Sequence, residues 1–367
     1  MAGRRTVGGL TVRAIVYRGP RDLAVTDVPD RPLRPGDVRV SVVTAGVCGT
    51  DVRIYEGEHS AYANGIGRVP GHEIVGRVAQ ADTMPPGLAR GDLVFIAPNI
   101  GCGLCGQCAR GNENLCATTE GIGITLDGGF AEHVVVPARA VTRGNLIRLD
   151  DASSGTDAAV LIEPLACVLR GQDKINVGSG DTVLVGGGGP VGLLHIALAR
   201  VRGASLVICS EPSPERRAAA RTAGAAVVVD PGSGDLDAAV AEATDGAGVD
   251  VVITAAPVHA LQTAAVRLAA PTGRVLFFGG LPRSRPTVEL DTNAIHYKEL
   301  TVAGTTASTL DDCRRAAELV GHGRIELDWM ISDRIGLPDL PQAIAKVRDA
   351  ATLKVVVKPS TAKEAAR

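Results

Sequence analysis

Between residues 181 and 303 the chain repeats one pattern, a short continuous apolar run followed by a helical stretch. The runs fall at 182–185, 206–209, 227–230, 250–253, 275–278 and 301–303. Continuous rather than alternating apolar runs belong to strands covered on both faces, and helices between them make the crossovers that parallel pairing requires. Six such strands predict an α/β fold built on a doubly wound parallel sheet. The first run leads directly into Gly187-Gly188-Gly189-Pro190-Val191-Gly192, which opens an apolar helix expected over 191–200. In that setting Gly187, Gly189 and Gly192 supply a tight turn, a close approach of backbone to a pyrophosphate, and close packing of helix on strand. The helix start at Pro190 and Val191 offers unpaired N–H groups to the phosphates.

The second run ends at Ser210-Glu211-Pro212, with Glu211 nineteen residues after Gly192. A carboxylate there accepts hydrogen bonds from the adenosine ribose hydroxyls and repels a 2′-phosphate, so the expected cofactor is NAD rather than NADP. Arg216 lies close enough to pack on adenine or to pair with a 2′-phosphate.

The first part of the chain has another texture. Alternating runs at 12–17, 38–43, 74–78, 93–97 and 133–136, broken by Gly and Pro, predict a β-rich domain. A chain of 367 residues exceeds what one core serves, and with 2% aromatic residues its cores must be built from small aliphatic side chains. A helix expected over 156–174 carries Glu163 and Pro164 across the junction. Beyond 303, helices are expected at 310–321 and 340–350, then a closing strand at 354–357 without an evident partner in the parallel sheet. The expected division is a catalytic domain over 1–160, completed by 305–367, and a dinucleotide domain over 161–304. The small, polar tail 359–367 is expected to fray.

Cys102-x2-Cys105-x2-Cys108-x7-Cys116 places four thiols within fifteen residues, the spacing of a closed tetrahedral Zn²⁺ site in a lobe over 98–120. Upstream lie Gly46-Val47-Cys48-Gly49-Thr50-Asp51 and Gly71-His72-Glu73, with Cys48 and His72 separated by what reads as loop and strand. One thiolate, one imidazole and one carboxylate, with a position left open, make a catalytic zinc site. The carboxylate is Glu73 or Glu163, and the residues alone do not choose. Asp51 is the expected acceptor for the second imidazole N–H, and Thr50 the hydroxyl that passes a proton. Cys167, Cys209, Cys313 and His195 are assigned to packing, and His133 to a strand edge. A net charge of −2 leaves no basic face for nucleic acid and no polybasic membrane anchor. Without an apolar run of signal or spanning length, and with clustered thiols, the expected location is the cytoplasm.

With Asp127-Gly128-Gly129-Phe130-Ala131-Glu132, Glu163-Pro164-Leu165-Ala166 and Leu353-Lys354-Val355-Val356, these motifs resemble the zinc-containing medium-chain dehydrogenases. The likeness is to their polyol branch, which includes sorbitol and threonine dehydrogenases, and it runs from Val12 to about Lys358. It implies a GroES-like catalytic domain beside a Rossmann domain. Cys48, His72 and either Glu73 or Glu163 would then hold catalytic zinc, and Cys102, Cys105, Cys108 and Cys116 structural zinc. It also implies that Gly279 and Thr306 lie beside the nicotinamide, and that the protein is a homo-oligomer, a tetramer or a dimer, joined through dinucleotide domains. The activity implied is NAD-dependent oxidation of a secondary alcohol on a polyol, cyclitol or sugar-like substrate, with threonine oxidation or a non-catalytic relative as alternatives. Ile54 stands where sorbitol dehydrogenases carry a tyrosine, and Tyr55 is one place later, so the substrate pocket is expected to differ.

Overall fold

The structure, a computed structural model, describes residues 11–63, 66–150 and 157–359. Thr156, the expected first residue of the junction helix, and the tail beyond Pro359 lie outside these residues. The chain divides into two units, Met1–Glu163 with Thr309–Arg367, and Pro164–Ser308. The division falls inside the helix Ile162–Lys174, which a short 3₁₀ turn at Ala158–Leu161 precedes.

The second unit is built on a six-stranded parallel sheet. Its order is Val227–Val229, Leu206–Ser210, Thr182–Gly186, Val249–Thr254, Ala269–Phe277 and Thr301–Gly304. The strands are Val- and Ile-rich and the central ones are buried along their length, as sheets covered by helices on both faces require. Chain order reverses at Thr182–Gly186, where Gly186 stands opposite Ser210 on one side and Thr254 on the other. This is the switch point at whose carboxyl end open α/β sheets bind ligands. One strand starts earlier than its apolar run: Ala269 pairs with Val249, then the register shifts so that Arg274 faces Val251. Pro271, Thr272 at φ 60° and Gly273 bend the chain there and interrupt the apolar pattern.

His195 and Cys209 are buried in this unit, as a packing role requires. The His195 ring meets Phe278 edge-on at 4.6 Å, and Gln172 donates to the His195 carbonyl at 2.8 Å. Burial depresses the His195 pKa to about 3, which keeps the ring neutral.

The first unit carries a seven-stranded sheet. Its path runs Ile331–Ile335, Lys354–Val357, Val38–Val47, Glu73–Ala81, Leu93–Ile96 and Leu146–Arg148, with His133–Val136 paired to Val38–Val47. The strand Lys354–Val357 is antiparallel to Val38–Val47 and parallel to Ile331–Ile335. The core beneath is almost wholly Val, Ile, Leu and Ala, with Phe130 as its aromatic member. A separate ribbon pairs Thr11–Gly19 with Asp22–Pro29, and a two-residue ribbon, Asn99–Ile100 with Glu120–Gly121, closes the base of the cysteine lobe. Among the described residues no helix is long and apolar enough to cross a membrane.

Candidate functional site

The segment after Cys48 is not loop and strand from its start, as the sequence suggested, but a helix, Gly49–Tyr55. Cys48 is its N-cap in an extended conformation: its Sγ accepts the Thr50 N–H at 3.2 Å, and the Asp51 carboxylate accepts the Cys48 N–H at 3.0 Å. This is a capping box with a thiol where Ser or Thr commonly stands. It turns the Sγ back along the helix axis and fixes Asp51 beneath it.

Antiparallel pairing sets Gly46 opposite Glu73, so Cys48 and His72 leave their strands at the same end of the sheet. His72 Nε2 lies 3.1 Å from Cys48 Sγ, and one donor atom from each of Cys48, His72 and Glu73 falls within 4.8 Å of the others. His72 Nδ1 and Asp51 Oδ1 are 3.8 Å apart, both buried and without a hydrogen-bond partner. Burial disfavours a charged His72, yet the charges of Cys48, Asp51 and Glu163 outweigh it and hold the pKa well above the ordinary value. Burial lifts the Asp51 pKa, with His72 opposing. A thiol and an imidazole facing each other across one proton, with a carboxylate beside them and an acceptor behind the ring, fit a divalent zinc ion. Such an ion would displace that proton, and Asp51 would take the remaining imidazole N–H.

Of the two candidate carboxylates, Glu73 belongs to this donor cluster and Glu163 does not. Glu163 is half-buried in the first turn of Ile162–Lys174, close enough for its charge to act on His72. Glu73 is fully buried and forms an ion pair with Lys354, itself 2% exposed. A Cβ at Gly46 would overlap the Glu73 carboxylate and come within 3.0 Å of Lys354 Cε, so the pair needs a glycine there. Lys354 was not among the expected site residues. Its signal was a single charge inside the apolar run Leu353-Lys354-Val355-Val356-Val357.

The lobe gathers the sulfurs of Cys102, Cys105, Cys108 and Cys116 within the same 4.8 Å limit. The four-residue helix Gly106–Ala109, capped by Cys105, brings Cys105 and Cys108 to one side. Backbone N–H groups already point at the sulfurs: Cys105 to Cys102 Sγ at 3.3 Å, Cys102 to Cys116 Sγ at 3.4 Å, Cys108 to Cys105 Sγ at 3.5 Å. The Thr118 hydroxyl and the backbone amides of Cys102 and Thr118 lower the Cys116 pKa to about 6, while desolvation raises that of Cys108 to about 11. Four sulfurs gathered with backbone amides donating to them fit a closed tetrathiolate zinc site. Glu113 fastens the lobe to the rest of its unit by accepting the Leu310 N–H at 2.6 Å.

In the second unit Gly187 has φ 108°, and Gly189 caps the helix Pro190–Val201, whose first position is Pro190. Val191 follows in its first turn, and a Cβ on Gly192 would overlap the Gly187 carbonyl. Glu211 is buried with both carboxylate oxygens held: Oε2 accepts the Gly188 N–H at 2.6 Å and Oε1 the Ser213 N–H at 2.9 Å. A carboxylate has about four acceptor positions, so two remain for a ligand. The Arg216 guanidinium approaches Gly189, and its Nε is buried without a partner among the described residues. Gly279 N–H donates to the Thr254 carbonyl at 2.8 Å at the carboxyl end of the sheet, and Thr306 follows the strand Thr301–Gly304. Two side chains aimed at the ligand region, Glu211 and Arg216, thus accompany the glycine loop.

Comparison with known proteins agrees with this construction. Residues 190–321 match the zinc-binding dehydrogenase family and residues 34–145 the alcohol dehydrogenase GroES-like domain. The L-threonine 3-dehydrogenase of Pyrococcus abyssi is 35% identical over 340 residues, covering 91% of this chain and 94% of that protein. The L-galactonate-5-dehydrogenase of Escherichia coli is 29% identical over 326 residues, covering 88% and 92%. Among solved structures, a zinc-binding dehydrogenase of Sinorhizobium meliloti bound to NADP superposes with a TM-score of 0.88 at 36% identity, covering 95% of this chain and 99% of that one. With a β-rich GroES-like part, a Rossmann-type parallel sheet and this similarity along nearly its whole length, the chain belongs to the zinc-containing medium-chain alcohol dehydrogenase family.

Proposed function

We propose that the protein interconverts a secondary alcohol and a ketone, with NAD as hydride acceptor, on a polyol, cyclitol or sugar-like substrate. The observation that carries this is the Cys48–His72–Glu73 cluster, in which a thiol and an imidazole lie 3.1 Å apart and the Thr50 N–H meets the same sulfur. Cys48, His72 and a carboxylate would hold zinc there, and it would supply the Lewis-acid chemistry that lowers the pKa of an alcohol. Asp51 holds the His72 ring and its tautomer, the Cys48 cap directs the sulfur, and Thr50 accepts the carbinol proton and passes it toward solvent. The Gly187–Gly192 loop, with Glu211 toward the adenosine ribose and Gly279 and Thr306 toward the nicotinamide, would hold NAD, which would supply the hydride acceptor. Glu211 favours NAD because a 2′-phosphate would face a buried carboxylate. Arg216 beside it, and the NADP in the Sinorhizobium meliloti protein, are what speak for the phosphorylated cofactor. Among the described residues the edge strand Thr301–Gly304 pairs on one side only, which suits a homo-oligomer joined edge to edge.

L-Threonine oxidation is the second reading, favoured by the identity to the Pyrococcus abyssi protein. The test is NADH formation by zinc-loaded protein over a panel of polyols, cyclitols, aldonates and L-threonine. Cys48→Ser and His72→Ala should turn over none of them while binding NADH as the parent protein does. Turnover retained in either variant would sink the zinc mechanism.

A further inference from the structure

Arg53 lies one turn beyond Thr50 on the helix Gly49–Tyr55, exposed, with its Nη2 3.4 Å from Thr50 Oγ1. Three other cations of its unit have partners: Lys354 pairs with Glu73, while Arg21 and Arg348 both pair with Glu56. Among the described residues no carboxylate lies within ion-pair distance of Arg53. Glu56, three residues on and the acid a helix would offer it, is held by the other two arginines. The guanidinium has five N–H donors in a rigid planar fork and cannot accept a proton. Thr50 engages one of those donors, and the rest of the fork has the geometry that binds a carboxylate through two parallel bonds.

We infer that Arg53 is a specificity-determining residue that selects alcohols whose carboxylate is attached to the carbinol carbon or to the carbon next to it. The inference rests on the proposed place of Thr50 beside the carbinol. A carbinol oxygen at about 2.7 Å from Thr50 Oγ1 and a carboxylate oxygen at about 2.8 Å from the fork have ordinary hydrogen-bond lengths. With Thr50 Oγ1 and Arg53 Nη2 only 3.4 Å apart, the two substrate oxygens can lie as close as the roughly 3 Å that separates hydroxyl and carboxylate oxygens in α- and β-hydroxy acids. Among the polyol-like substrates proposed, those that carry such a carboxylate, as sugar acids do, are the ones this charge favours. A cation in the last turn also complements the helix dipole, but a lysine would meet that need without recognising a planar anion.

The experiment measures binding without turnover. 2-Hydroxyisobutyrate has no carbinol hydrogen and cannot be oxidised, and 2-hydroxyisobutyramide is its neutral isostere. Both are titrated calorimetrically into zinc-loaded protein with NAD, for the parent, Arg53→Gln and Arg53→Lys. The parent should bind the acid at least about tenfold more tightly than the amide. Arg53→Gln should lose that preference and leave amide binding within about twofold, and Arg53→Lys should recover part of it. Equal binding of acid and amide by the parent overturns the inference, as does an Arg53→Gln variant that keeps the preference. Weakening confined to NAD overturns it too, by assigning the guanidinium to the cofactor. If no alcohol of the panel is oxidised by the parent, the proposed reaction fails, and the calorimetric preference still decides the role of Arg53.

Discussion

Removing Lys354 isolates a buried carboxylate at the candidate metal centre. Glu73 is 0% exposed and Lys354 2%, so neither charge is solvated and each depends on the other. At a contact distance of about 3 Å and an effective dielectric of about 20, their attraction is on the order of 5 kcal/mol. Breaking buried pairs by deleting one partner costs about 3–5 kcal/mol. Lys354→Met should therefore destabilise the metal-free protein by about 3–5 kcal/mol. The unit that contains it should melt roughly 6–20 °C lower, at about 2–4 °C per kcal/mol for a unit of this size. Zinc at Cys48 and His72 would give Glu73 another positive partner, so the loss should shrink to about 2 kcal/mol in zinc-loaded protein. Glu73→Gln with Lys354→Met removes both charges and should recover to within about 1–2 kcal/mol of the parent. The assay is urea unfolding followed by circular dichroism, with and without zinc. A metal-free loss below about 1 kcal/mol, or an equal loss with and without zinc, would refute the view of Glu73 as a carboxylate shared between a lysine and an ion.

Three further outcomes are expected. Asp157 accepts Arg334 Nε at 2.6 Å and pairs with Lys358; burial raises its pKa, but the two cations outweigh that and lower it. A folded value below the unfolded one means that the contribution is present above about pH 4 and is lost as pH falls through the folded value. Asp157→Asn should thus cost about 1 kcal/mol at pH 7, Arg334 being half exposed, and nothing near pH 2, as unfolding curves at the two pH values would show. Cys105→Ser should lower bound zinc, measured by plasma mass spectrometry, from about two ions per chain to about one, since one of two separate donor sets remains; a ratio unchanged from the parent would remove the lobe as a site. Glu211→Ala should raise the dissociation constant of NADH about tenfold and leave that of NADPH nearly unchanged, read by fluorescence titration; equal weakening of both would show that Glu211 acts only by supporting the loop.

The parallel sheet was legible because its apolar runs are continuous and each is set off by a helical stretch. The glycine loop was legible because it sits directly between a strand and an apolar helix. Other elements were hidden for local reasons. Gly49–Tyr55 begins with glycine and holds β-branched Thr50, Val52 and Ile54, all weak helix formers, and only the cap formed by Cys48 with Asp51 makes it helical. The strand Asp22–Pro29 faces solvent along much of its length, so its pattern is diluted. At the site, Cys48, His72 and the lobe cysteines were marked by residue type and spacing. The Lys354–Glu73 pair was not, because the two meet only through strands that both border Val38–Val47 and no local pattern links such positions. Arg53 escaped notice because an exposed arginine in a last helical turn is commonplace until its neighbour proves to be Thr50.

Lys354 also sets an order of events during synthesis. The strand that carries it, Lys354–Val357, leaves the ribosome after the whole of Pro164–Ser308, whereas Cys48, His72 and Glu73 emerge early. Domains fold largely as units while the chain lengthens, so the nucleotide-binding unit can complete itself while the other still lacks a strand beside Val38–Val47 and the counter-charge for Glu73. Until that strand arrives, the edge of Val38–Val47 next to Gly46 is unpaired and Glu73, opposite Gly46, lacks its counter-charge. The carboxylate at the candidate metal centre thus acquires its buried partner only when the last strand of its sheet is made.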